Sequence, residues 1–297
     1  MTIDLFPGFT ARSVRVDGLD FFMRIGGPEN GSPVVLLHGF PQTHECWHGV
    51  APELARTHRV VCLDLKGYGQ TSAPKGDGGV ATYSKRTMAQ EVISVMKTLG
   101  HDRFSVVGHD RGALVGYRMA LDTPEAVEKL AILDNFPTHV IWEYMATNAA
   151  FTPHWRSYAQ PAPKAEEFMT TVQIEELLRN HTADGTLTAF APAALENYRR
   201  SWADPARIHA FCEDYRAGAG SDPEADRADI AVGKTVDCPT LILWGEKFLG
   251  HGDETPTEIW QRTFAPHATG VEVPAGHFNA EESPKETAAS LVAFLNA

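Results

Sequence analysis

Cysteine is scarce and unpatterned. The chain has four, Cys46, Cys62, Cys212 and Cys238, with no CxxC or CxxH spacing, so neither a zinc motif nor a disulfide framework is indicated. Long apolar runs are missing too: none reaches the roughly 18 to 20 residues that a membrane span needs. The opening MTIDLFPGFT has no basic leader ahead of an apolar stretch. Positive charge is in deficit, 26 Lys and Arg against 38 Asp and Glu, for a net charge of −12 with no local basic patch. Nucleic acid is therefore not an expected partner. Internal repeats and low-complexity tracts are absent. What remains is the expectation of a cytoplasmic protein with a small-molecule ligand, touching neither nucleic acid nor membrane.

What is present is an alternation of short apolar segments with longer amphipathic ones, over 297 residues of which 43% are hydrophobic. That rhythm reads as βαβ units. Arg15–Val16 and Phe21–Ile25 suggest an opening antiparallel pair. Val34–Leu37, Val60–Leu63, Phe104–Val107, Leu130–Leu133 and Leu241–Trp244 are runs suited to strands covered on both faces of a parallel sheet. Between them, Ser84–Leu99 carries an apolar stripe of helical period through Met88, Val92, Val95, Met96 and Leu99, with Gly100 as a stop. From Pro137 to about Arg227 aromatics, prolines and helical patterns replace strand-like runs. The expectation is an α/β core formed by residues 1–136 and 228–297, with a helical cap, 137–227, inserted between two sheet strands.

After the strand Phe104–Val107 comes Gly108-His109-Asp110-Arg111-Gly112, then a helical run, Ala113–Leu121. This is the strand, sharp turn and helix of the GxSxG nucleophile elbow of α/β-hydrolases, with Asp110 in the serine position. An Asp before a helix also serves as a simple cap, so further residues have to decide. His38-Gly39-Phe40-Pro41 follows Val34–Leu37, where this fold places the loop that completes an oxyanion hole. Gly276-His277-Phe278 follows a strand-like Gly270–Val273, in the order expected of a catalytic histidine. For the acid that orients it, the position after Leu241–Trp244 holds Phe248, so Asp134, closing the preceding strand, is chosen, with Glu246 and Asp253 as alternatives.

A carboxylate nucleophile is ionised without help and displaces a leaving group from saturated carbon. The resulting aspartyl ester is then hydrolysed by water that His277 activates. Asp134 would hold the imidazole tautomer, and the backbone N–H groups of Phe40 and Arg111 would stabilise the oxyanion that forms on Asp110. Neither metal nor cofactor is called for.

Taken together, HGFPQTH from His38 to His44, GHDRGA from Gly108 to Ala113, LDNFPT from Leu133 to Thr138, His154-Trp155, AQPAP from Ala159 to Pro163, CEDYRAG from Cys212 to Gly218 and GHF from Gly276 to Phe278 span nearly the whole chain. In these the sequence resembles the fluoroacetate (haloacetate) dehalogenases of the α/β-hydrolase superfamily. The resemblance implies a hydrolase acting on carbon–halide bonds and a homodimer. Asp110 would be the nucleophile, His277 the base, Asp134 its partner and Arg111 a clamp for the substrate carboxylate. His154, Trp155 and Tyr215 would bind the departing halide, whose charge needs several converging N–H and O–H donors.

One position departs from the pattern. Such proteins usually carry a second arginine in GHDRGAR, and here it is Leu114. Losing a charge-assisted contact costs about 1.5 to 3 kcal/mol, and Arg118 lies further along the helix. The alternative is an epoxide hydrolase working by the same covalent route, which needs two cap phenols drawn from Tyr144, Tyr158, Tyr198 and Tyr215.

Overall fold

The computed structural model describes residues 4–78, 81–148, 152–251 and 253–297. Eight strands form one sheet: β1 (Thr10–Val16), β2 (Leu19–Gly26), β3 (Ser32–Leu37), β4 (His58–Leu63), β5 (Phe104–His109), β6 (Val127–Leu133), β7 (Thr240–Gly245) and β8 (Thr269–Val273), in the order β1-β2-β4-β3-β5-β6-β7-β8. The β1–β2 and β2–β4 pairs are antiparallel and the others parallel. The expected strands are present and the opening pair is longer than its apolar residues suggested. In β1 only Val14 and Val16 are buried, so an edge strand with a wet face offers no apolar run to read.

Side-chain alternation divides the core in two. Val35, Leu37, Val61, Leu63 and Val106 point to one face and join the helices Lys85–Thr98 and Arg111–Asp122. Val34, Leu36, Val60, Cys62 and Val107 point to the other, against Leu54, Leu291 and Leu295. Both faces being covered, β5 and β7 are buried along their whole length. The helix Lys85–Thr98 starts where Ser84 caps the Thr87 N–H, and the chain leaves it through Gly100 at φ +91°.

Between β6 and β7 the described residues are helical, from Thr138–Thr147 to Ser221–Ala231. That last helix runs through residue 227, where the sequence reading ended the insertion. Because β6 and β7 are neighbours in the sheet, the inserted helices rise from one point on its C-terminal edge. The loops after β3, β5, β6, β7 and β8 open at that same edge, where side chains project into a crevice.

Candidate active site

Asp110 lies between β5 and the helix Arg111–Asp122 at φ +46°, ψ −112°. This is a strained conformation for a residue with a side chain. It occupies the N-cap position, yet its carboxylate accepts no bond from the helix. Instead Oδ1 accepts the Phe40 N–H at 3.1 Å, and Asn135 Nδ2 donates to the Asp110 carbonyl at 2.9 Å. The flanking glycines are required by close approach. A Cβ on Gly108 would stand 2.4 Å from the Gly112 carbonyl oxygen, and one on Gly112 would stand 2.2 Å from that of Leu37.

The structure brings the separated sequence candidates together. His277 Nδ1 is 2.5 Å from Asp134 Oδ2, and its Nε2 is 3.7 Å from Asp110 Oδ2. Asp134 is itself fixed by the Gly245 N–H, which donates to Oδ1 at 2.8 Å. Of the alternatives to Asp134, Glu246 pairs with Lys247 and Asp253 is exposed. Burial opposes charge on His277, but the Asp110 carboxylate facing it and the hydrogen bond to Asp134 outweigh it and raise its pKa to about 10. Burial likewise opposes charge on Asp110, yet the imidazolium and the Arg111 charge hold its carboxyl well below the usual range. The free site therefore carries an Asp110 carboxylate beside a protonated His277 at neutral pH.

Above Asp110 is a cavity of about 50 Å³ whose wall includes Phe40, His154, Trp155, Tyr215, Phe248 and His277. His154, Trp155 and Tyr215 form one corner, with the Tyr215 ring centroid 5.8 Å from that of His154 and 5.5 Å from that of Trp155. Burial, then the nearby His181, lower the pKa of His154 to about 3, so it is a neutral imidazole with one N–H to offer.

Arg111 is placed differently from a free clamp. It is fully buried, with its guanidinium 4.4 Å from the Trp155 ring centroid and 4.1 Å from that of Tyr215, and it does not form part of the cavity wall. Its Nε donates to Asp214 at 3.0 Å, and Asp214 also accepts from Tyr68 and Lys85. Both terminal nitrogens are buried without a hydrogen-bond partner among the described residues. Its backbone N–H, the other expected oxyanion donor, makes no bond to Asp110 among the described residues. Leu114 is packed in the apolar core, and Arg118 is held by Asp122, Asp226 and Asp229.

Several site residues were missed in the sequence. His181 lines the cavity, and its carbonyl accepts the His277 N–H at 2.8 Å. His109, the residue before the elbow, has Nε2 donating to the His277 carbonyl at 2.7 Å. Asn135 had a local signal, since it follows Asp134 directly. Asp214 lies within the CEDYRAG segment, directly before Tyr215, and nothing local to it signals a contact with Arg111.

Comparison with known proteins agrees with this geometry. The family model for the alpha/beta hydrolase fold matches residues 32–284. A fluoroacetate dehalogenase from a Burkholderia species is 41% identical over 296 residues, covering 98% of this chain and 95% of the other. The chain belongs to the fluoroacetate dehalogenase family of α/β-hydrolases. It is similar as well to a soluble epoxide hydrolase from Corynebacterium, 30% identical over 86% of this chain and 87% of that protein. Among solved structures, a putative α/β-hydrolase from Nostoc superposes with a TM-score of 0.88 at 40% identity, covering 97% of this chain and 98% of the other. A putative epoxide hydrolase from Pseudomonas aeruginosa gives 0.88 at 39% identity, covering 99% and 98%. The protein is thus a hydrolase, and membership in this family places carbon–halide bonds first among its candidate substrates.

Proposed function

We propose that this enzyme removes halide from short haloacids such as fluoroacetate and chloroacetate by hydrolysis, through an ester on Asp110. The observation that carries the reading is the ionised carboxylate at the elbow, with Oδ1 on the Phe40 N–H and Oδ2 facing His277. Oδ2 attacks the carbon bearing the halogen. The carbon–halogen bond breaks with its electron pair going to the halide, which leaves into the corner of His154, Trp155 and Tyr215. His277 then takes a proton from water, the hydroxide adds to the Asp110 carbonyl carbon, and the oxyanion rests on the Phe40 N–H, joined by that of Arg111. Loss of the alcohol restores Asp110.

Two features support a short acid. The cavity over Asp110 is small, about 50 Å³, which favours a short substrate such as a haloacetate over an aryl epoxide. The terminal nitrogens of Arg111, buried and lacking acceptors behind the Trp155 and Tyr215 rings that line the cavity, are the groups a carboxylate would satisfy on passing those rings. The epoxide reading needs a second phenol, and of the four candidate tyrosines only Tyr215 is in the cavity wall. Tyr198 donates its hydroxyl to Glu281.

Incubation with fluoroacetate and chloroacetate, measuring halide and glycolate, tests the proposal, and release from neither would sink it. A His277→Asn variant should release halide once and gain the mass of the alkyl group at Asp110. We further propose residues 137 to about 231 as a cap domain, a cytoplasmic location and a homodimer, the last checked by the solution mass. No helix among the described residues is long and apolar enough to cross a membrane.

A further inference from the structure

Hydrolytic dehalogenation converts R–X and water into R–OH, X⁻ and H⁺, so every turnover has a proton to dispose of. The two steps above leave it on His277. After ester hydrolysis the added hydroxyl makes Asp110 a carboxylic acid, whose proton passes to the imidazole, while the proton first taken from water goes to the departing alkoxide. In the resting site that imidazolium is held by two carboxylates. Once Asp110 is alkylated again its charge is gone, and His277 must give up the proton before it can act as a base. His277 is largely buried and its Nε2 faces Asp110 across a small, partly open cavity, so only a few water-sized molecules can stand between it and bulk buffer.

One side chain bridges this cavity to solvent in a suitable state. His181 lines the cavity and is half-buried. Its Nδ1 is fixed as a donor to the Leu177 carbonyl at 2.7 Å, so in the neutral ring the lone pair is on Nε2. The ring centroid is 6.1 Å from that of His277 and 5.7 Å from that of His154, with Phe248 packed beside it at 5.6 Å. About 6 Å between rings is a spacing that one water spans. The charges that face it are those of His277 and Asp110. Burial, then His277, push its pKa down, so it is empty of the proton when His277 is charged. His154 is a poor acceptor, with its pKa near 3.

We propose that His181 is the proton carrier of this site, taking the proton from His277 through a water at the alkyl-enzyme stage and passing it to solvent. The proposal rests on the covalent route assigned to Asp110 and His277. Because the backbone carbonyl of His181 holds the His277 N–H, replacing the side chain leaves that tie in place.

The test is His181→Ala with chloroacetate in dilute buffer near neutral pH. The expected result is a kcat lowered by about tenfold or more with KM little changed, alkylated Asp110 accumulating in the steady state by mass spectrometry, and recovery of kcat on adding imidazole, which fits the space vacated. A kcat equal to that of the parent would overturn it. So would a lowered kcat with no ester accumulation and no response to imidazole, the mark of a merely structural role. Should the alanine variant not fold, His181→Gln serves with the accumulation assay alone, under the same criteria. If the parent enzyme releases no halide, both readings fall. If it does and His277→Asn traps the ester, a normal His181 variant removes only the proton carrier.

Discussion

The ring of Phe248 lies 4.5 Å, centroid to centroid, from the imidazole of His277, at an angle of 40°. Phe248 stands where many α/β-hydrolases carry the orienting acid after β7, and here it covers the histidine while Asp134 orients it from the end of β6. The two positions therefore approach the same imidazole, one with a carboxylate and one with a phenyl ring. Asp134→Asn should lower kcat by about 10³ to 10⁴, through loss of the correct tautomer. Adding Phe248→Asp to that variant should return part of the loss, about tenfold, since a carboxylate would again stand near the ring. Steady-state halide release by the single and double variants measures this, and a double variant no better than the single would show that position 248 does not reach Nδ1.

In the proposed reaction, recognition of the substrate carboxylate would turn on Arg111. Its guanidinium lies 4.4 Å from the Trp155 ring centroid and 4.1 Å from that of Tyr215, and is tied to Asp214 through Nε alone. Arg111→Lys would keep the charge but lose the guanidinium contacts with the two rings and the paired terminal donors. KM for haloacetate should rise by about ten- to a hundredfold, corresponding to about 1.5 to 3 kcal/mol for a charge-assisted contact. A neutral substrate such as chloroacetamide should be affected less. Equal losses for the acid and the amide would point to general disruption of the pocket.

Leu114 carries a different consequence from the one its sequence position suggested. From spacing alone, arginine at 114 should flank the site with Arg111 and improve binding. The structure places Leu114 wholly inside the apolar core, where a charge without a partner costs several kcal/mol. Leu114→Arg should therefore melt about 6 °C lower or worse, with no gain in KM. Thermal melting together with haloacetate kinetics checks both halves, and an unchanged melting point with a lower KM would show that the side chain reaches the cavity after all.

This contrast marks what the sequence made legible. The elbow, the oxyanion loop and the His277 loop each sit at the end of a strand, and parallel β-topology forces the ends of neighbouring strands together, so reading the strands placed the residues. Asp134 was found on the same ground. What stayed hidden depends on how the inserted helices fold back over the sheet. Asp214 reaches Arg111, and His181 reaches His277, across separations of 103 residues and 96 residues respectively, with no local pattern to announce either. Burial at Leu114 is likewise a property of the packing around the helix and not of its periodicity.

The two steps of the proposed reaction would ask opposite things of pH, and the pKa shifts say where they part. Alkylation needs Asp110 ionised. Its carboxyl is held well below the usual range, so the first halide should be released at undiminished rate on lowering the pH through 4 to 5. Ester hydrolysis needs His277 without its proton. In the free enzyme that proton is lost only near pH 10, but the ester removes the negative charge of Asp110 that helps to hold it. The pKa governing hydrolysis therefore lies below 10, with Asp134 alone keeping it up. Mixing enzyme with excess chloroacetate at pH 5 should give a rapid burst of about one halide per site and then slow turnover. As the pH rises through the ester-state pKa, turnover should accelerate until the burst vanishes. Rapid-quench measurement of halide across this range decides the matter: a burst that grows with pH, or an alkylation rate that falls away already at pH 5, would mean that Asp110 and His277 do not divide the reaction in this way.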